Sequence, residues 1–256
     1  MRLGPRTGDA LLGLLGVAIV VAGWELMVRL GAVDAALFPS PSMAFGEAAE
    51  RLSAVKVAEH TLWSLTRITV GFLLGAVLGT IVGVIAGWYR LAGLVLRPII
   101  ELLRPIPPLA WIPLAIIWFG LGEPSKYFII FLGAFFPVVT AAYVGITSVD
   151  PVLIRAAQSY GLKGPGLLLK VGLPAAAPDL LTGLRIGWGL AFGILVAAEL
   201  IAASRGLGFL IMNERNTTGS VSVIVVGITL IGILNLVTDW AIGAVSQRYI
   251  GRWHGR

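Results

Sequence analysis

Long, uninterrupted apolar runs are the feature that most limits what this chain can fold into. A helix of about 20 apolar residues spans the hydrocarbon core of a bilayer, and six stretches of that kind follow one another. Only 12% of the 256 residues are charged, whereas soluble domains average about 25%. We therefore expect an all-α integral membrane protein with about six transmembrane helices, forming a single domain over residues 1–256 with its core at about 60–246. The six spans are placed at residues 11–30, 62–88, 99–120, 127–148, 180–203 and 221–246.

The first run raises the alternative of a cleaved signal peptide, because Arg2 and Arg6 precede it. It continues through Trp24 to Leu30 without a clear small-x-small cleavage site. We therefore predict that it is retained as a helix.

Lysine and arginine placement predicts the orientation, because cytoplasmic loops carry an excess of these residues. With both termini inside, ten of them fall in cytoplasmic segments and five in outer loops. Both termini are therefore predicted to be cytoplasmic. The net charge of +6 then reflects loops that face anionic lipid, and no nucleic-acid partner is expected. The inner set is Arg2, Arg6, Arg90, Arg97, Arg155, Lys163, Lys170, Arg248, Arg252 and Arg256, and the outer set is Arg51, Lys56, Lys126, Arg205 and Arg215.

Chemistry-bearing side chains are sparse. The chain has no cysteine and two histidines, His60 and His254, which lie far apart in the sequence. We therefore expect no metal site and no thiol- or histidine-based catalytic centre. An intramembrane enzyme would need a convergent nucleophile, base or metal site, and the sequence has no recognisable spacing of that kind, so an enzyme stays a distant alternative.

Glycine recurs every four residues in the second span, which contains GFLLGAVLGTIVGVIAG. Residues four apart share a helix face, so the glycines form a smooth stripe that another backbone can approach closely. Packing within the bundle and a subunit interface are the two alternatives. The stripe consists of Gly71, Gly75, Gly79, Gly83 and Gly87.

Prolines crowd the third span, ELLRPIPPLAWIPLAIIWFGLG. Pro105, Pro107, Pro108 and Pro113 break or kink any helix, and irregular backbone at membrane depth persists only against protein or a water-filled cavity. The stretch is therefore expected near a pore or cavity, with an interfacial re-entrant turn as the alternative.

Ionisable residues lie within or near other spans, where such groups usually face a cavity or a partner. Glu25, Arg67 and Arg185 are expected near the headgroups, to which their side chains would reach. Glu199, near the outer end of its helix, is a candidate for lining the transport path. Asp239 belongs to the same group.

A polar interruption at 150–174 reads DPVLIRAAQSYGLKGPGLLLKVGLP. Asp150 suits an N-cap, Pro151 suits the first helical position, and Gly161 suits the left-handed position that ends a helix. A second short helix is predicted to run until Pro174. Two short helices joined at a glycine elbow suit insertion into a groove on another protein, and an amphipathic hairpin on the inner membrane face is the alternative.

This segment resembles the cytoplasmic motif of binding-protein-dependent ABC importer permeases, which is Glu-Ala-Ala, three residues, Gly, nine residues and Ile-x-Leu-Pro. Arg155 stands where glutamate is usual, and Val171 replaces isoleucine. The resemblance implies a type I ABC importer transmembrane domain, in which this segment is the coupling helix that docks into a cleft on the ATPase subunit. The matching residues are Ala156, Ala157, Gly161, Leu173 and Pro174.

Longer stretches resemble the sulfonate, nitrate and taurine permease subfamily, and taurine permeases most of all. They are LLRPIPPLAWIPLAIIWFGLGEPSK at 102–126, IRAAQSYG at 154–161, LVAAELIAASRGLGF at 195–209 and WHG at 253–255. The resemblance implies a permease for a small organic anion, taurine or another aliphatic sulfonate. Nitrate, bicarbonate, an aromatic acid and a pyrimidine precursor are the alternatives within the same role.

Two residues of the proline-broken stretch are candidates to line the path of such an anion. Arg104 would supply a charge-assisted donor, and Trp111 an amphipathic wall with an indole N–H. The alternative is structural, with Arg104 at the inner headgroups and Trp111 packed in the bundle.

The resemblance also implies an assembly in the bacterial inner membrane. Two copies of the chain would form the pathway, two separate ATPase subunits would bind ATP and Mg, and a periplasmic or lipid-anchored binding protein would deliver the substrate. The chain contains no Gly-Lys pair and hence no phosphate-binding Gly-x-x-x-x-Gly-Lys motif. It is therefore predicted to hold no cofactor and not to be an enzyme. A self-contained channel or secondary transporter is the alternative from another class, but it leaves residues 155–174 unexplained.

Overall fold

The computed structural model of the protein describes residues 7–251, where all regular secondary structure is helical. A 3₁₀ turn at Pro108–Trp111 precedes α5, and a π turn at Leu168–Gly172 joins α8 to α9. The α-helices are α1 (Thr7–Arg29), α2 (Pro41–Arg51), α3 (Ala54–Trp88), α4 (Arg90–Leu103), α5 (Ile112–Phe119), α6 (Glu123–Thr147), α7 (Pro151–Ser159), α8 (Gly164–Leu167), α9 (Leu173–Ala202), α10 (Leu207–Thr217) and α11 (Val221–Gly251).

Five helical units within residues 7–251 are long and apolar enough to cross a membrane. They are α1, α3, α6, the continuous unit α8–α9, and α11. The bent pair α4–α5 supplies a sixth candidate span. The predicted all-α membrane fold with about six spans is therefore confirmed.

The third predicted span, at 99–120, is wrong as a single helix. α4 begins at Arg90 and ends at Leu103, and the 3₁₀ turn with α5 continues at 86° to it. Pro105 and Pro107 fall in the break, and neither can donate the backbone hydrogen bond that a continuing helix needs.

The fifth predicted span, at 180–203, starts too late, because Pro174 does not end a short helix. α9 begins at Leu173 and continues α8 through the π turn, where the Leu173 N–H donates to the Leu168 carbonyl five residues earlier. Pro174 has no N–H of its own to donate. The wider π turn directly before it accommodates that missing bond, so the helix continues past the proline.

α6 lies between α3 and α9 and forms the centre of the bundle. The glycine stripe of α3 faces α6, where a Cβ at Gly75 would lie 2.7 Å from the Ala134 Cβ. A Cβ at Gly83 would lie 2.5 Å from the Val139 carbonyl oxygen. The two helices therefore touch along their backbones, and the stripe serves packing within the chain.

Two short helices, α2 and α10, cover the beginning of α11. Ala44 of α2, Leu210 of α10 and Val223 of α11 pack in one buried cluster, and the Ser220 hydroxyl donates to Glu47 Oε1 at 2.9 Å. We call this side of the bundle the α10 end and the opposite side, which carries α7, the α7 end.

Some sequence predictions lie outside the described residues. They concern Arg2, Arg6, Arg252, Arg256 and the WHG stretch at 253–255.

Candidate functional site

α7 is held between a capped start and a glycine elbow. The Val152 N–H donates to Asp150 Oδ1 at 2.7 Å, and Pro151 occupies the first turn, as the sequence predicts. Gly161 has a φ of +85° and Gly164 a φ of +57°. Both angles are left-handed, a conformation that glycine adopts without strain, so the chain turns sharply twice between α7 and α8.

The surface of α7 points away from the bundle. None of its residues is buried, and Arg155 and Ala156 are exposed while Ala157 is half-buried. Tyr160, directly after the helix, is 91% exposed. A helix without a partner over most of its surface is available for contact with another protein.

The predicted coupling residues do not all lie on this short segment. Leu173 and Pro174 belong to the first turn of α9 and are half-buried. The segment from Gly161 to Pro174 therefore connects the elbow to the first turn of a membrane-crossing helix.

A cleft of about 550 Å³ opens between the α4–α5 break and helices α6 and α9. Arg104 and Pro108 line it from the break, and Thr140 from α6. Asp179 and Thr182 line it from α9. Arg104, a predicted path residue, therefore borders a cavity, and the prediction that the proline-rich stretch lies near one is met by the geometry.

Trp111 is placed differently. It packs in a small apolar cluster with Ile112, Ala115 and Ile129, and its ring centroid lies 6.4 Å from that of Trp118. Its buried indole N–H has no hydrogen-bond partner within the described residues. The structural alternative for this residue, packing in the bundle, describes its position.

Arg67 is the centre of a buried ion cluster at the α10 end. Its guanidinium donates to both Glu123 oxygens at 2.6 and 2.7 Å, and to Glu199 Oε1 at 2.8 Å. Lys126 places a second cation on Glu123 at 2.8 Å. Arg67 and Glu199 are each 1% exposed. Arg67 is therefore enclosed by the protein and does not reach out to headgroups, and Glu199, predicted to line the path, is enclosed with it. The two buried charges are tolerated because they are paired.

Glu199 also fixes the loop between α9 and α10. The Gly208 N–H donates to its Oε2 at 2.9 Å, and the Ser64 hydroxyl donates to the same carboxylate at 2.9 Å. Ser64 in turn accepts from the Leu207 N–H at 2.9 Å. Gly206 has a φ of +114°, and any Cβ there would collide with the Glu199 carboxylate. The stretch AELIAASRGLGF therefore fixes the connection between α9 and α10.

The partners of Arg67 were missed because they are 56 and 132 residues away in sequence. The available signal was charge balance. An arginine inside an apolar span requires acids near it, and Glu123 and Glu199 are acids at the ends of other spans.

The other ionisable residues that the sequence analysis named in the spans are also paired. Arg185 of α9 forms a bidentate ion pair with Asp239 of α11, at 3.0 and 2.7 Å. Glu25 accepts from Arg29 and from the Ser42 hydroxyl, both at 2.6 Å. The sequence analysis named Arg185, Asp239 and Glu25 but did not predict which residues they pair with.

The chain is similar to transport proteins over most of its length. Residues 75–251 match the family described as binding-protein-dependent transport system inner membrane component. The taurine transport system permease protein TauC of Escherichia coli is 38% identical over 256 aligned positions, covering 98% of this chain and 92% of that protein. The putative aliphatic sulfonates transport permease protein SsuC of Bacillus subtilis is 36% identical over 241 positions, covering 94% of this chain and 87% of that protein.

The fold is also similar to a solved transporter. A chain of the MetNI methionine ABC transporter, in inward-facing conformations, superposes with a TM-score of 0.64 at 20% identity, covering 77% of this chain and 99% of that one. The architecture is therefore that of a type I ABC importer transmembrane domain. On the family match and these relatives, the chain belongs to the binding-protein-dependent inner membrane components and is a multi-span permease of an ABC importer, not an enzyme, that works with an ATPase and a substrate-binding protein.

Proposed function

We propose that this chain, paired with a second identical copy, forms the translocation pathway of an importer for a small organic sulfonate, taurine first. Both termini face the cytoplasm in this proposal, and the binding protein delivers substrate at the α10 end. ATP and Mg²⁺ are held by the ATPase subunits, and this chain holds no cofactor.

In the same proposal α7 is the coupling helix. Its exposed surface, presented between a capped start and the left-handed Gly161, is the observation that carries this assignment. Movement of α7 reaches α9 through the glycine elbow, because α8, the π turn and α9 form one continuous helical unit that begins at Gly164. A force applied to α7 by the ATPase would therefore act directly on a wall of the cleft.

The substrate class is supported by charge and by similarity. The relatives named for taurine and for aliphatic sulfonates align with nearly the whole chain. A sulfonate keeps its negative charge at any physiological pH, and Arg104 in the cleft offers charge-assisted hydrogen bonds to its oxygens. Nitrate, bicarbonate, an aromatic acid or a pyrimidine precursor is the alternative, and a self-contained channel is the distant one.

Uptake by the reconstituted complex tests the proposal. The chain is co-expressed with the ATPase and binding protein of its own system and placed in vesicles with ATP inside. We expect uptake of labelled taurine that requires both ATP and the binding protein, and that excess unlabelled ethanesulfonate reduces.

Two results would separate the alternatives. Uptake of nitrate, bicarbonate or a pyrimidine in place of taurine overturns the sulfonate assignment and retains the permease role. Taurine uptake that proceeds without nucleotide and without the binding protein overturns the coupled-importer mechanism and favours a channel.

A further inference from the structure

α4 carries its charged side chains on one face. The four residues follow one another at intervals of seven, four and three positions, which is the spacing of a single face of an α-helix. The opposite face carries large apolar side chains that are 50 to 80% exposed. We call the charged face the α4 polar stripe, and it consists of Arg90, Arg97, Glu101 and Arg104. The opposite apolar face includes Leu91, Val95, Ile99 and Leu102.

The α4 polar stripe borders the bundle, with the Arg97 and Glu101 side chains each 59% exposed. The Arg97 guanidinium lies 5.8 Å from the centre of the Tyr143 ring of α6. Arg90, Arg97 and Glu101 line, with Tyr143, a second cleft of about 580 Å³. Tyr143 lies three residues from Thr140 on α6, and Thr140 lines the cleft that contains Arg104. The two clefts therefore adjoin along one face of α6, and the stripe runs beside both.

Lipid is an unsuitable environment for this stripe. α4 has no buried residue and forms, with α5, a candidate membrane span. Charged side chains in hydrocarbon are costly, so those in membrane helices face water or a partner. The apolar face of α4 points the other way, where lipid can cover it. Water in the two clefts is the medium that fits the charged face.

The stripe also carries excess positive charge. Arg97 Nε donates to Glu101 Oε1 at 2.7 Å, which offsets one cation. Arg90 and Arg104 form no ion pair with any residue in the range 7–251. Arg90 and Arg104 therefore remain as unpaired cations on the stripe, about 2 nm apart at a helical rise of about 1.5 Å per residue. Asp179 of α9 lines the same cleft as Arg104 and supplies the negative charge on its other wall.

We infer that the α4 polar stripe is one wall of the permeation path and passes small monoanions, sulfonates first, from Arg104 towards Arg90. The inference rests on the proposed function and adds which residues guide the anion. Each arginine offers charge-assisted hydrogen bonds to an oxyanion. A series of exposed sites suits transport, because each contact must be favourable enough to receive the anion and weak enough to release it. Glu101 limits how tightly Arg97 can hold the anion.

The absence of cysteine from the chain permits a direct test, since single cysteines can be introduced without removing any. Thr140→Cys places a thiol in the cleft opposite Arg104, and Val95→Cys places one on the apolar face as the matched control. The full complex in vesicles is treated with two methanethiosulfonate reagents of similar size. One carries a sulfonatoethyl group, which imitates the substrate, and the other a trimethylammonioethyl group.

We expect the Thr140→Cys thiol to react faster with the anionic reagent and to be protected by taurine. Adding Arg104→Gln should slow the anionic reagent by roughly three- to tenfold relative to the cationic one, as expected for loss of one nearby charge in partly screened surroundings. The Val95→Cys thiol should react with neither reagent.

Transport by the same complexes gives the second readout. Arg104→Gln and Arg97→Gln should lower taurine uptake by a similar factor, and Arg104→Lys should retain most of it. Val95→Cys is the control, because Val95 is an exposed residue on the apolar face of the same helix. Its substitution should leave uptake unchanged.

Three outcomes overturn the inference. Equal reaction of both reagents at Thr140→Cys, with no effect of Arg104→Gln, would show that the stripe does not set the potential of the path. Reaction at Val95→Cys in place of Thr140→Cys would show that the apolar face of α4, and not the stripe, borders the water-filled path. Normal uptake by both glutamine variants would show that the arginines do not guide the anion. The proposed function fails separately, when the wild-type complex takes up no taurine.

Discussion

At the scale of single residues, the buried cluster around Arg67 is where one substitution should change stability most. Arg67→Met leaves the Glu199 carboxylate, which is 1% exposed, without a cation. Breaking a buried pair by removing one partner costs about 3–5 kcal/mol. We expect a clear fall in the thermal unfolding midpoint of the purified permease.

The matched control is Glu59→Gln, which breaks the exposed Glu59–Arg205 pair at 3.2 Å on the same side of the bundle. Exposed pairs contribute about 0–1 kcal/mol, so the midpoint should change little. The double variant Arg67→Met with Glu199→Gln should recover part of the loss, because the unpaired charge is removed. Equal midpoints for Arg67→Met and Glu59→Gln would disprove the view that the cluster stabilises the fold.

Individual residues differ in how well their surroundings can be predicted from the sequence. Asp150, Pro151 and Gly161 were assigned correctly, because a cap and a left-handed glycine depend on a few neighbouring residues. The environments of Arg67 and Glu199 were not, because a buried ion pair is decided by which helices pack together. Features that depend on neighbouring residues could therefore be predicted from the sequence, whereas ion pairs between distant helices could not.

At the scale of elements, the glycine stripe allows a paired test of helix packing. Replacing a helical glycine with alanine stabilises an unobstructed helix by roughly 0.5–1 kcal/mol. At Gly83 a Cβ would lie 2.5 Å from the Val139 carbonyl oxygen, whereas no atom lies within 4 Å of a Cβ at Gly232 of α11. We expect Gly83→Ala to lower the thermal unfolding midpoint and Gly232→Ala to leave it equal or higher. A stabilising Gly83→Ala would mean that α3 and α6 do not touch there.

The glycine elbow after α7 permits a test of coupling. A Cβ at Gly161 meets no atom within 4 Å, so the effect of Gly161→Val comes from its φ of +85° alone. That conformation costs an L-residue about 1–2 kcal/mol. We expect the membrane bundle to keep its unfolding midpoint while substrate-stimulated ATP hydrolysis and uptake fall together.

Gly166→Ala is the control in the same segment, since Gly166 lies in α8 and meets its nearest atom at 4.0 Å. It should preserve both activities. Wild-type uptake by Gly161→Val would remove the coupling role from α7.

The positions of helices could be predicted from the sequence where a single property, such as apolar length, determines them. Apolar length marked α1, α3, α6 and α11, because a bilayer-crossing helix needs an unbroken apolar run. Proline was a less uniform signal. It broke the chain at Pro105 and Pro107, yet α9 passes Pro174 and Pro178. At Pro174 the preceding π turn accommodates the missing hydrogen bond, whereas Pro178 lies inside α9 with no such turn beside it.

At the scale of the whole molecule, a single chain leaves the two clefts beside α6 open on one side. Little of α1 packs against the rest of the chain either, since only 6% of its apolar stretch Leu12–Arg29 is buried. The side chains of the Arg185–Asp239 ion pair are 50% and 33% exposed, and these charged groups also require water or protein around them. A pathway for a hydrophilic anion needs walls on all sides, and these surfaces provide one side.

We therefore predict that the active complex contains two identical permease chains. Native mass spectrometry of the detergent-purified complex should detect two chains of 27.0 kDa each, together with two ATPase subunits. Two copies related by a two-fold axis would close the clefts against each other, because closed pairs of identical subunits present the same surface to one another. A cross-link between two Thr140→Cys chains, absent between two Val95→Cys chains, would place the cleft face at the shared axis. A complex with one permease chain, or with a second permease of different sequence, would contradict the homodimer and require another protein to complete the wall.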